Sequence, residues 1–575
     1  MRVIATAGHV DHGKSSLVLA LTGTDPDRFA EEKRRGLTID LGFAHAVLDG
    51  EAVSFVDVPG HVRFLRNMLA GVGGVDACLF VVAATEGWKP QSEEHLRILE
   101  LVGVRHGVVA LTKVDVLDDP ELVELAQLEV AEHVAGTFLA AAPVVPVATP
   151  TGHGLDALAT ALAALARATP AAIDRGRARL WIDRVFAARG SGTVVTGTLT
   201  DGSLTAGDRV VVEPSGHSAR VRAIQTLGRQ VDVIGPGHRV ALNLAGVEQG
   251  ELARGDAVVA AGRWRTVARF DASLDVLGSL DHVVSRRGSY LAYMGSGEHA
   301  VRVRVLGPES IRPGSSGLVR LHLATAVPLL PGDRYVLRET GRDETVGGGE
   351  VLDIAPVVPA SRARPDRDVE RVVAERGWVE ADELELLTGE RRPANVGRWV
   401  VAPEVVAAAS AELRARLQLG PVALASLDER ARAVLERLEG VVLDATSART
   451  ADVADPLADH PVIATLAAAG LAPPAPDDVD RGTLRELVRR GLLVERDGLW
   501  WHRSAIDRAG SVAARLLGDQ PDGFTVGAFR EAAGITRKHA VPLLAELDGR
   551  GVTRRRGDLR IAGNRLPGVD ADPSG

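Results

Sequence analysis

Gly8-His9-Val10-Asp11-His12-Gly13-Lys14-Ser15 is the first stretch whose residue types and spacing could do chemistry. It matches G-x-x-x-x-G-K-[ST] and lies between a predicted strand and a predicted helix. The two glycines let backbone N–H groups wrap phosphate oxygens, and the helix N-terminus adds positive potential. His9, Val10, Asp11 and His12 supply that backbone, and Ser16 follows it. Lys14 would reach the outer phosphates as a point charge, a role a planar guanidinium does not fill. The Ser15 hydroxyl would ligate Mg²⁺. Asp57-Val58-Pro59-Gly60-His61 ends the next long strand. There Asp57 would hold the same ion through water, and the Gly60 N–H would meet the terminal phosphate. Thr38, in the polar loop Glu32–Asp40, would complete the Mg²⁺ shell and could order on the triphosphate. His61 is the catalytic candidate, positioning water and stabilising charge.

Thr112-Lys113-Val114-Asp115 resembles the Asn-Lys-x-Asp stretch with which P-loop GTPases read guanine at this place. The Asp115 carboxylate would accept from the guanine N1–H and exocyclic amine, which adenine does not present, so GTP is expected. The Lys113 stem would lie along the base. Thr112 stands where P-loop GTPases usually carry asparagine, which removes a carboxamide. In Val147-Ala148-Thr149, backbone groups of Ala148 and Thr149 would face the guanine oxygen.

Positioning these residues requires strand–helix alternation, and residues 1–172 show it. Arg2–Ala7, Val53–Val58, Ala77–Ala83, Gly107–Thr112 and Val144–Val147 read as strands, with helices at Ser15–Leu21, Val62–Ala70, Ser92–Leu101, Glu121–His133 and Leu155–Arg167. That pattern predicts a largely parallel α/β sheet covered on both faces. Residues 173–260 and 261–358 carry short apolar runs and turns such as Asp201-Gly202 and Pro331-Gly332-Asp333, which fits two β-barrels in series. Pro356, Pro359 and Pro365 mark a linker. Residues 359–575 read as a helical arm of three or four winged-helix units, the last at about 504–565.

The chain has 575 residues, 46% apolar and 25% charged, enough for about four domains. No run approaches the roughly 20 apolar residues of a spanning helix, so a cytoplasmic protein without membrane contact, and a monomer, is expected. The one cysteine, Cys78, excludes an internal disulfide framework. The net charge of −9 hides a basic tail: Phe529–Arg565 holds nine Arg/Lys against four acids. Arg537, Lys538 and His539 start a predicted helix there, and Arg554, Arg555 and Arg556 open a wing. Such a face suits RNA phosphates, although a solvated face or a protein contact fits the same residues. Only five lysines stand beside 62 arginines, and four of them (Lys14, Lys33, Lys113 and Lys538) fall in these candidate stretches.

The motif set resembles the translational GTPases, whose bodies join a nucleotide domain to two barrels as in elongation factor Tu. Pro90-Gln91-Ser92-Glu93-Glu94-His95 resembles their helix after the second switch. Glu32-Lys33-Arg34-Arg35-Gly36-Leu37-Thr38-Ile39-Asp40-Leu41-Gly42-Phe43-Ala44, Trp181–Phe186 and Gly190–Thr198 resemble the selenocysteine-specific elongation factors, the SelB family. Gly534–Ala540 and Thr553–Arg556 resemble that family's terminal winged helix. The resemblance implies GTP-dependent delivery of selenocysteinyl-tRNA to the ribosome at a UGA codon recoded by an mRNA hairpin. It also implies an aminoacyl pocket near Asp183, Arg184 and Arg239, with Phe43 helping to enclose it. Asp183 and Arg184 could instead form a structural ion pair at a barrel rim. Two other readings stay open: a general translational GTPase with an unrelated appendage, and an RNA-binding regulator using GTP as a switch.

Overall fold

Strand Ala77–Ala83, ACLFVVA, is buried at every position, as a central parallel strand between two helical layers must be. It is β4 of a six-stranded sheet in the computed structural model, which describes residues 1–27, 38–61, 64–188, 192–451, 457 and 459–568. The nucleotide domain runs β1 (Arg2–Ala7), α1 (Lys14–Thr22), β2 (Gly42–Leu48), β3 (Glu51–Asp57), α2 (Leu65–Val72), β4, α3 (Pro90–Leu101), β5 (Gly107–Thr112), α4 (Pro120–Val134), β6 (Val144–Pro146) and α5 (Leu155–Ala168). The sheet order is β2-β3-β1-β4-β5-β6, parallel except for the β2–β3 pair. The five sequence-predicted strands are present. β2 is the sixth, an edge strand turned back by Asp49-Gly50, where both residues have positive φ, 45° and 84°.

One face of the sheet buries Leu17 and Val18 of α1 with Leu158 and Leu162 of α5. The other buries Met68 of α2, Leu96 and Leu99 of α3 and Val130 of α4. Tyr293 and Val336 of the second barrel enter this second core, so α3 is held between the nucleotide domain and that barrel. Arg338 of the barrel reaches Glu94 on α3 at 3.2 Å.

The first barrel closes as a ring of six strands: Arg209–Glu213, Ala257–Ala260, Arg179–Trp181, Gly192–Thr200, His238–Ala245 and His217–Thr226. The second closes through Thr266–Val276, Ser316–Pro328, Gly297–Leu306, Tyr290–Met294, Arg334–Glu339 and Glu344–Asp353. Buried Arg179 joins them, pairing with Asp201 at 3.1 Å in one and Asp333 at 2.7 Å in the other.

Beyond the barrels the described residues form four helix-and-hairpin units. The first, with helices Val369–Arg376 and Ala381–Thr388 and strands Trp378–Glu380 and Trp399–Val401, shares one apolar core with the second barrel. The compact division of the chain falls between Ser410 and Ala411, after this unit. The other three follow, starting with helix Pro403–Leu419. In the last, Phe529 is fully buried with Leu543, Leu544 and Leu547 of helix Arg537–Gly549, and Trp501 of the preceding hairpin joins the same core.

Candidate functional site

The phosphate loop links β1 to α1, and its two glycines meet a steric block at Gly8 and a left-handed backbone at Gly13. Gly8 has φ 126°, and a Cβ there would lie 2.1 Å from the Val81 carbonyl oxygen. Gly13, with φ 85°, caps α1. The Lys14 ammonium is buried and donates to the carbonyls of Gly8 at 3.1 Å and His9 at 2.6 Å. Desolvation pushes it down to about 8, against the pull of Asp57, Asp11 and Asp27. A phosphate chain in this cradle would offset that penalty. α3 supports the loop from below: His95 Nδ1 accepts the Gly8 N–H at 3.1 Å and Gln91 Oε1 accepts the Val10 N–H at 3.3 Å. Burial pushes His95 down to about 3, so it is the neutral acceptor this bond requires. Burial likewise holds His12 at about 4.

The expected Mg²⁺ residues meet. Ser15 Oγ donates to Asp57 Oδ2 at 2.7 Å and lies 2.8 Å from Thr38 Oγ1. Thr6 holds the other Asp57 oxygen at 2.7 Å. Two hydroxyls and a carboxylate form a hard oxygen set that fits Mg²⁺. Sequence reasoning missed Asp27, whose carboxylate accepts from Thr38 Oγ1 at 2.9 Å. It also missed Thr6, Gln91 and His95 as supports. A helix signal at Pro90 was visible, but the contact it makes depends on the tertiary fold. Gly60 lies against the cradle, where a Cβ would fall 2.4 Å from Lys14 Nζ and 2.7 Å from Val10 N. His61 follows it, its ring centroid 5.9 Å from that of Phe64. The stretch Lys33–Leu37, the start of the helix predicted at Val62, and Gly190-Ser191 lie outside the described residues.

At the base end, Thr112 Oγ1 donates to the His12 carbonyl at 2.7 Å. The hydroxyl thus ties the base-reading stretch to the phosphate loop. Lys113, at φ 58°, donates to Glu86 at 2.9 Å, and Asp115 is exposed beside it in the short helix Val114–Val116. The Ala148 N–H donates to the His153 carbonyl at 2.9 Å, closing its own loop, and Thr149 is half-buried next to it.

Asp183, Arg184 and Arg239 come together where the first barrel meets β2. The partner of Asp183 is Arg239, not Arg184. Arg239 grips both carboxylate oxygens, one at 3.1 Å, and Thr196 Oγ1 donates to Asp183 at 2.6 Å. Burial raises the Asp183 carboxyl, but Arg239 and Thr196 outweigh it and hold the group below its ordinary range. Arg184 turns to the Leu41 carbonyl. Both guanidiniums lie over Phe43, Arg239 at 3.4 Å and Arg184 at 4.3 Å from the ring centroid. A cavity of about 190 Å³ opens beside Phe43, Thr196 and Arg239.

In the last unit, Arg537 and Lys538 are exposed at the start of helix Arg537–Gly549, with His539 half-buried behind them. Arg554, Arg555 and Arg556 are exposed on the wing strand Thr553–Arg556. Glu546 and Asp548 are engaged by Arg550 and Arg560, each at 2.9 and 2.8 Å respectively. Among the described residues no carboxylate pairs with Arg537, Lys538 or the three wing arginines.

Residues 1–168 match the model of the elongation factor Tu GTP binding domain, 192–259 that of elongation factor Tu domain 2, 280–358 that of the selenocysteine-specific elongation factor beta-barrel domain, and 515–562 that of the elongation factor SelB winged helix. The chain is 34% identical to elongation factor Tu 2 of Streptomyces avermitilis over 388 residues, 96% of that protein and 61% of this chain. It is 40% identical to the selenocysteine-specific elongation factor of Desulfomicrobium baculatum over 352 residues, 61% of this chain, and so spans 55% of that relative's length. The crystal structure of a bacterial selenocysteine-specific elongation factor matches 98% of this chain and 99% of its own, at TM-score 0.73 and 25% identity. Fold and site together define a translational GTPase of the elongation factor Tu type. Within that class the chain is similar to the selenocysteine-specific elongation factors, the SelB family, whose beta-barrel and winged-helix models match it at residues 280–358 and 515–562.

Proposed function

We propose that this chain hydrolyses GTP to deliver selenocysteinyl-tRNA to the ribosome at UGA codons recoded by an mRNA hairpin, acting as a cytoplasmic monomer. The observation that carries the reading is the junction where Arg184 and Arg239 flank Phe43 over the rim of the first barrel. Phe43 stands on β2, which leads from the Mg²⁺-side loop into β3 and Asp57. The aminoacyl site and the nucleotide site therefore share one hairpin.

Lys14 and the loop N–H groups bind the outer phosphates, and Asp115 reads guanine. Ser15, Thr38 and Asp57 would hold Mg²⁺, which when bound neutralises phosphate charge. His61 positions the attacking water once the ribosome orders the second switch. Arg239 and Arg184 place two guanidiniums at the rim, both over Phe43. A selenolate, ionised at neutral pH, gains a charge-assisted contact there that a neutral serine hydroxyl does not. The exposed arginines of the last unit contact hairpin phosphates and splayed bases.

The test is reconstituted translation of a UGA-containing message with and without its hairpin. Selenocysteine incorporation that requires both the chain and the hairpin supports the reading. Incorporation indifferent to the hairpin would favour a general translational GTPase.

A further inference from the structure

We propose that His282, Glu339 and Glu344 form a binding site for a divalent transition-metal ion, of the Zn²⁺ class, on the second barrel. Glu339 ends strand Arg334–Glu339 and Glu344 begins strand Glu344–Asp353, and the two are directly paired in the ladder. Like charges placed opposite each other across strands destabilise a hairpin unless something neutralises them. His282, in the loop after strand Thr266–Val276, closes over the pair. One ligand atom from each of the three lies within 4.8 Å of the others.

Three atoms of the cluster, His282 Nε2, Glu339 Oε2 and Glu344 Oε1, are shielded from solvent and make no well-aligned hydrogen bond, the first two lying in ion-pair range of each other. Buried polar atoms left so are rare and call for a cation, a proton or water. His282 Nε2 lies 2.8 Å from Glu339 Oε2. On the other side of the ring, Nδ1 lies 3.0 Å from Asp281 Oδ1. Nδ1 also lies 3.6 Å from Glu344 Oε1, so the ring stands among three carboxylates. A carboxylate held against one ring nitrogen is an arrangement that metal-bound histidines adopt, since it fixes ring orientation.

The charge balance agrees. Asp281, Glu339 and Glu344 supply three negative charges, and Arg342 reaches only Asp281 at 3.0 Å and Glu339 at 3.8 Å. Arg338 is engaged elsewhere, with Asp343 and Glu94. Two charges remain, which one divalent ion cancels. An imidazole with two carboxylates suits Zn²⁺ or Co²⁺ better than the all-oxygen preference of Mg²⁺ or Ca²⁺. Bound there, the ion would pin the His282 loop to the hairpin bordering the α3 cleft, which Glu344 and Thr345 line together with Glu94.

The experiment is Zn²⁺ titration by calorimetry of the full chain, stripped of transition metals and loaded with GDP and Mg²⁺, with Co²⁺ absorption in the visible as a second readout. One Zn²⁺ per chain is expected, weakened at least tenfold by His282→Gln and by Glu344→Gln, with GDP affinity unchanged as the measure of folding. Asp281→Asn should weaken it about 10- to 100-fold. No uptake by the wild-type chain, or uptake that survives both ligand substitutions, would overturn the site and leave a protonated imidazole between two glutamates.

Discussion

Thr112 donates its hydroxyl hydrogen to the His12 carbonyl at 2.7 Å, joining the start of the base-reading stretch to the phosphate loop. The threonine that stands in place of a carboxamide thus supplies a tether by a shorter route. Thr112→Val keeps the shape and removes the donor, leaving a buried carbonyl short of a partner. Guanine nucleotide affinity should fall about 10-fold, the cost of one such bond. Thr112→Asn should stay close to wild type. Titration with a fluorescent GDP analogue checks both, and equal affinity for the valine variant would remove the tether's role.

The histidines beneath the phosphate loop set an acid limit. Burial holds His95 at about 3 and His12 at about 4, against 6.5 when unfolded. Both are neutral in the folded chain. Below pH 6.5 the unfolded chain takes up protons that the folded one does not. Stability is therefore full above that pH and is lost as pH falls towards the folded values. Each group contributes up to about 1.4 kcal/mol per pH unit within its window. Thermal unfolding of the GDP-bound chain should show Tm falling from pH 7 to pH 5, and His95→Gln should flatten that slope. A slope unaltered by His95→Gln would contradict the account.

Legibility in the sequence followed how local each feature is. The phosphate loop and the stretches Asp57–Gly60 and Thr112–Asp115 show because each needs particular residues at fixed offsets. The last winged helix shows because its helices, turn and wing are contiguous. β2 was missed although Asp49-Gly50 marks its hairpin, because its edge position gives it the mixed burial of a loop. Asp183 was paired with its neighbour Arg184 in one reading, yet successive residues of extended chain point to opposite sides. Its true partner, Arg239, lies on a strand 56 residues away. The division at Ser410 was hidden because the first helical unit buries its apolar face on a barrel that ends before it begins.

The Asp183–Arg239 pair should behave as a buried charge pair. Arg239→Ala strands a carboxylate that is 8% exposed, at about 3–5 kcal/mol. Adding Asp183→Asn should recover part of the loss. Arg184→Ala, which leaves the bidentate Asp183–Arg239 pair in place, should cost less stability. Denaturant unfolding of these three variants and of Asp183→Asn alone checks the ranking, and simple additivity of the two changes at 183 and 239 would count against direct coupling.

The wing arginines should report phosphate contact through salt. Replacing Arg554, Arg555 and Arg556 by alanine removes up to three contacts. The slope of log affinity against log salt for the hairpin should then fall by about 2 to 3. Arg560→Ala should instead destabilise the unit, because Arg560 is buried against Asp548 at 2.8 Å. An unchanged salt slope in the triple variant would place the RNA elsewhere.

The central claim is that the rim formed by Arg184, Arg239 and Phe43 recognises an ionised aminoacyl side chain. It is tested most directly by measuring, on one tRNA body and with GTP bound, the affinity of the full chain for the selenocysteinyl and the seryl ester. One charge-assisted contact predicts at least about 10-fold tighter binding of the selenocysteinyl form at neutral pH. Arg184→Ala should narrow that preference. Equal affinity for the two esters would contradict the account.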